Sequence, residues 1–171
     1  MSTDQTLKFP ASFPLFLAPG TPPRDIRDVF SYRVALLARI NDRDAQNQLM
    51  TRHNITLGEW RTVAVIHYLG RCTLGQLAGE GFLDIGQVSR SVTALVERGL
   101  VQRAVDQRDR RAVSLSLSAA GEDLYRQVMV YASDANADIL CVLSADEQAQ
   151  LYGLLDRVMD SLRRALDDKA E

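Results

Sequence analysis

Thiols and imidazoles are scarce in this chain. Among 171 residues the only cysteines are Cys72 and Cys141 and the only histidines His53 and His67. The cysteines lie far apart without metal-ligand spacing, and no dense group of His, Cys and Glu surrounds either imidazole. A disulfide framework and a metal centre are therefore not expected; the thiols read as free. No apolar run approaches the roughly 20 residues of a membrane helix, so no membrane partner is expected. The opening MSTDQTLKFPASFPLF has a single lysine and a broken apolar stretch, unlike a secretory leader, and a cytoplasmic location is expected. There is no nucleophile–base pair and no phosphate-binding glycine loop, so the chain does not read as an enzyme and no cofactor is expected.

Proline is absent beyond residue 23. All five prolines (Pro10, Pro14, Pro19, Pro22 and Pro23) fall in residues 1–23, among Phe9, Phe13, Leu15, Phe16 and Leu17. Proline fixes φ and removes a donor, which predicts an extended arm; its large apolar groups predict an arm that packs, most simply on a partner subunit.

An excess of positive charge is also missing. The formal net charge is −2, with 46% hydrophobic and 25% charged residues, ordinary for a soluble globular protein. Charge is nevertheless sorted along the chain. Residues 85–111 hold six arginines against three acids, and residues 144–171 hold seven acids against four bases. A local basic face is what a phosphate partner meets.

What is present is mostly helical pattern. Ile26, Val29, Phe30, Leu36, Leu37 and Ile40 predict one face of a long helix over 24–52. Thr56 and Glu59 form a capping box that opens a second helix, with Trp60, Val63, Ala64 and His67 along one face and Gly70 at its end. Thr73 and Gln76 repeat the box before a short helix carrying Leu74, Leu77 and Ala78. Asp84 caps the next, whose stripe Val88, Val92, Leu95 and Val96 must face a core. Gly99 ends it. LVQRAV and AVSLSL then read as two strands, the second alternating Val113, Leu115 and Leu117 against Ser114 and Ser116. Ser118 opens a helix over 119–142, and Ser144 with Glu147 opens a last one to about residue 165.

A short helix, a tight turn, a second helix and a two-stranded ribbon make a winged helix-turn-helix. The predicted fold is mainly α (α+β), with long flanking helices. Off the buried stripe, Gln87, Ser89, Arg90 and Thr93 crowd the outer side of the second helix. Glutamine bonds adenine bidentately, arginine bonds guanine, and serine beside a helix N-terminus suits phosphate. The strand connection carries Arg108, Arg110 and Arg111, the side chain favoured in the narrow minor groove, with Asp106 and Asp109 placed to pair with them and hold the loop.

These residues resemble the core of the MarR family of transcriptional regulators. The resemblance is carried by Leu77-Ala78 in the short helix, the strand Gly99-Leu100-Val101-Gln102-Arg103, the wing Asp106-Gln107-Arg108-Asp109-Arg110-Arg111 and the helix opening Leu117-Ser118-Ala119-Ala120-Gly121. It spans about residues 30–165, with the proline arm outside. It implies a homodimer held by the first helix and the last two, and two winged parts on a pseudo-palindromic double-stranded DNA operator. It also implies a minor-groove role for Arg108 and a major-groove role for Gln87, Ser89 and Arg90. On this reading the divisions are arm 1–23, first dimerisation helix 24–52, winged part 53–117 and C-terminal dimerisation helices 118–171.

Family members respond to small aromatic or anionic ligands or to oxidation. Arg39, Trp60, Arg61 and His67 offer an aromatic wall and cationic groups for an aromatic carboxylate. No cysteine stands at the start of the first helix, where the peroxide-sensing branch carries its own, so a small-molecule-released repressor is expected over a redox-responsive regulator. A winged-helix module for protein assembly is the other reading; apolar residues would then be expected in place of Gln87 and Arg90.

Overall fold

In a computed structural model, residues 21–81, 83–105 and 113–168 are described. The chain forms two compact units, residues 1–60 and 61–171.

In the first unit a 3-10 turn, Ile26–Asp28, precedes α1, Phe30–His53. The expected start of the long helix at residue 24 is corrected to Phe30. Asp25 accepts the Arg27 N–H at 2.8 Å and Asp28 accepts from Arg24, side-chain bonds that compete with helical ones, and Val29 is extended. At the other end Asn54 takes the left-handed conformation (φ 52°) and its N–H reaches the carbonyls of Leu49 and Met50, closing the last turn. Leu49 and Ile55 are buried, whereas Phe30, Val34, Leu37 and Ile40 leave an exposed apolar stripe along α1. The helix α2, Leu57–Leu69, opens on the expected box: Thr56 N–H donates to Glu59 at 2.7 Å and Glu59 N–H to Thr56 Oγ1 at 3.1 Å.

The second unit is a small sheet framed by helices. Its elements are β1 (Cys72–Thr73), α3 (Leu74–Glu80), α4 (Ile85–Glu97), β2 (Val101–Val105), β3 (Val113–Leu117), α5 (Ala119–Leu140) and α6 (Ala145–Asp167). The expected two-stranded ribbon is a three-stranded antiparallel sheet in the order β1-β3-β2. The short β1 pairs Cys72 with Leu115 and Thr73 with Ser114, so β3 is central. That position changes which of its residues are covered. Ser114 and Leu115 are both buried and Val113 is exposed, in place of the strict alternation the sequence predicts.

The core of this unit gathers Val63 and Ile66 of α2, Leu77 of α3, Val88, Val92 and Leu95 of α4, Val101, Leu115 and Val128, each at most 2% exposed. Burial of such aliphatic side chains contributes about 1.5–3 kcal/mol apiece before the entropy of ordering them is counted. Along α2 the buried residues are Thr62, Val63 and Ile66, so the face expected to run through Trp60, Ala64 and His67 is displaced by about one position, and His67 is exposed. The helix α6 is capped by its Ser144–Glu147 box yet has no buried residue over its 23 positions. Among the described residues no single helix is long and apolar enough to cross a membrane.

Candidate nucleic-acid interface

The helix α4 is held at both ends and along one side, and its other side is left open. Asp84 accepts the Gln87 N–H at 2.8 Å, fixing the entry turn. Gly99 at φ +70° allows the chain to leave the helix and enter β2, as a residue with a Cβ would do only under strain. Val88, Val92 and Leu95 lock the inner side. On the outer side Gln87, Arg90 and Thr93 are exposed and Ser89 is half-buried, the disposition the sequence predicts. Arg90 lies over the first turn: a Cβ on Gly86 would stand 3.8 Å from Arg90 Nη1 and 3.2 Å from the capping Asp84 Oδ1. A glycine there keeps the outward backbone open to close approach.

Thr93 has a structural tie that sequence reading missed. Its hydroxyl donates to the Ser89 carbonyl at 3.0 Å and accepts from Arg103 Nη2 at 3.2 Å. Arg103, mid-strand in β2, thereby joins the ribbon to the outer face of α4. The signal available in the sequence was a lone guanidinium in the middle of a short strand with apolar ends.

The ribbon is registered by five pairs, from Val101 opposite Leu117 to Val105 opposite Val113. Asp106, Arg108, Asp109, Arg110 and Arg111, expected as wing residues, lie outside the described residues.

Two contacts fasten the ribbon's base to α5. Ser118 Oγ donates to the Gly99 carbonyl at 2.7 Å and accepts the Gly121 N–H at 3.1 Å. Gly121 backs onto the strand entry so closely that an added Cβ would stand 2.1 Å from the Leu100 carbonyl oxygen. The glycine four residues after Leu117 is therefore required by contact.

Of the four ligand candidates, His67 has a defined role in packing. Its Nδ1 lies 2.9 Å from Glu122 Oε2, and its ring stacks on Tyr125 with centroids 3.7 Å apart. It joins α2 to α5. Trp60 is half-buried in α2, Arg61 is exposed on the same helix and Arg39 is exposed on α1. Burial pushes the Cys72 thiol above its ordinary range, the condition of an unreactive cysteine, while Cys141 is exposed. Among the described residues no group of three or more His, Cys, Asp or Glu is placed to hold a metal ion.

A capped short helix, a turn, a second helix with a polar outer face and a ribbon fastened beside it define a winged helix-turn-helix protein. Residues 55–113 match the model of the MarR family. Over this winged part the chain is similar to that family of winged-helix transcriptional regulators. It is similar to the HTH-type transcriptional regulator BilQ of Clostridium symbiosum, 27% identical over 109 residues that cover 64% of this chain and 76% of the relative. It is also similar to the homoprotocatechuate degradative operon repressor of Escherichia coli, 26% identical over 108 residues, 63% of this chain and 73% of the relative. Among solved structures, a mutant MarR from E. coli complexed with operator DNA superposes with a TM-score of 0.67 at 25% identity, covering 75% of this chain and 91% of that one. These relatives are regulators and not enzymes.

Proposed function

We propose that the chain is a dimeric, sequence-specific DNA-binding repressor of transcription, working in the cytoplasm and released from its operator by a small aromatic or anionic ligand. The observation that carries the DNA-binding part is α4 itself: a helix buried on one side, capped at both ends, with Gln87 and Arg90 exposed on the other. Such a rod fits the major groove, where Arg90 and Gln87 read base edges, Ser89 meets phosphate and Thr93 trims the contact surface. Arg108, Arg110 and Arg111, steadied by Asp106 and Asp109, reach the neighbouring minor groove.

Dimerisation is supported by the uncovered apolar stripe of α6, in which Leu155, Val158, Leu162 and Leu166 follow helical spacing and all remain exposed. The stripe of Phe30, Val34, Leu37 and Ile40 on α1 has the same character. A second copy of the chain covers both, and the twofold partner supplies the second half-site grip. Repression and an aromatic effector follow the repressor of an aromatic-degradation operon among the relatives. Arg39, Trp60 and Arg61 are the candidate ligand contacts, with His67 as the link by which α2 would report to α5.

The test is binding of full-length protein to the duplex upstream of its own gene, by fluorescence anisotropy at several salt concentrations. The expected result is an affinity that falls steeply with salt, weakened about tenfold or more by Arg90→Ala or Arg108→Ala at unchanged melting temperature. Salt-insensitive or absent binding by the wild type overturns the reading.

A further inference from the structure

One side chain on the outer reach of α4 does not fit a surface built for phosphate and polar base edges. Ile85 is the first residue of the helix and is 55% exposed, the only large apolar side chain of α4 left in that state. Every other exposed position of the helix is polar or charged: Gln87, Arg90, Thr93 and Glu97. The fold does not need Ile85 for packing. Leu83, two residues earlier, is half-buried and lies against Gly81, its Cδ1 so near that a Cβ there would stand 2.9 Å away, and Val88 is in the core one turn on. Side chains of a helix lean toward its N-terminus, so a residue in the first position projects past the tip. That tip is the end that enters a groove. The major-groove edges of the bases carry donors, acceptors and a single apolar group, the C5-methyl of thymine.

We infer that Ile85 is a specificity residue which packs against a thymine methyl in each half-site. The inference rests on the DNA-binding reading of α4 and adds a base that reading does not specify. Gln87 and Arg90 bond polar edges; Ile85 selects thymine at the position beside them by removing two apolar surfaces from water together. Burying one methyl group corresponds to a factor of about four in affinity.

The experiment replaces each thymine of the bound duplex in turn with deoxyuridine, which lacks only the methyl, and measures affinity for full-length wild type, Ile85→Ala and Ile85→Val. Wild type is expected to lose about fourfold at one thymine in each half-site. Ile85→Ala is expected to be weaker on the thymine duplex by a similar factor, indifferent to uracil there, and unchanged in melting temperature; Ile85→Val keeps part of the discrimination. Retention of the full thymine preference by Ile85→Ala overturns the inference while leaving DNA binding intact, as does a wild type indifferent to uracil at every position. Failure of wild type to bind any duplex removes the DNA-binding reading and the inference with it.

Discussion

The helices α4 and α6 begin alike and end up in opposite circumstances. Each is opened by an acid or hydroxyl cap, Asp84 in one and Ser144 in the other, and each is amphipathic. In α4 the apolar stripe is enclosed by its own unit at Val88, Val92 and Leu95, at most 1% exposed, with Val96 half-buried at its end. In α6 the apolar side is mostly left to solvent, with no residue buried and Leu162 59% exposed. An amphipathic pattern therefore says that a face is to be covered and not by what. The covering of α4 is intramolecular, so its outer side is held in place; the apolar side of α6 is left largely uncovered, as the proposed dimer requires.

The same truncation made in both helices sharpens that contrast most. Leu95→Ala should cost about 2–5 kcal/mol of stability in a denaturant titration, since it opens a cavity in a closed core. Leu162→Ala should leave the stability of the dilute monomer within about 0.5 kcal/mol and act on assembly, lowering the molar mass seen by light scattering as protein is diluted. Equal losses in the two variants would break the comparison. A smaller effect is expected where α5 meets the ribbon. Gly121→Ala forces a Cβ against the Leu100 carbonyl and should destabilise by about 1–3 kcal/mol, whereas Gly79→Ala, with nothing near its Cβ, should be neutral or slightly stabilising. A silent Gly121→Ala would show that the contact relaxes freely.

The smallest effect lies at the lead-in to α1. The side-chain hydrogen bond from Arg27, followed by the Arg27 backbone N–H, lowers the Asp25 carboxyl from 3.8 to about 2. A depressed folded value means that the pairing is present above about pH 4 and is lost as pH falls toward 2. The Arg27 amide resonance should therefore titrate near pH 2; a midpoint near 4 would show that the turn is not formed.

Much of this was legible before any coordinates. Caps at Thr56, Thr73, Asp84, Ser118 and Ser144 were readable because a capping side chain acts within three residues of itself, and α4 because its buried stripe repeats at helical spacing. The polar outer side of α4 followed from the same spacing. What escaped depends on partners far along the chain. The two residues of β1 carry no strand pattern of their own and exist by pairing with β3, and that pairing is also why Ser114 is buried. The displaced face of α2 follows from Glu122 and Tyr125, 55 and 58 positions away from His67, which hold that ring at the rim. The Arg103–Thr93 bond spans only 10 positions but crosses from strand to helix, a meeting that neither periodicity specifies.

The seat of Gly121 on the Leu100 carbonyl has a mechanical meaning. With no side chain between them, and Ser118 bonded to the Gly99 carbonyl alongside, the start of α5 and the exit of α4 have no cushion in which a displacement could be absorbed. The two helices are therefore joined there as one piece, with backbone against backbone. For the proposed repressor, a load applied to α5 would then reach α4 without the winged part having to bend.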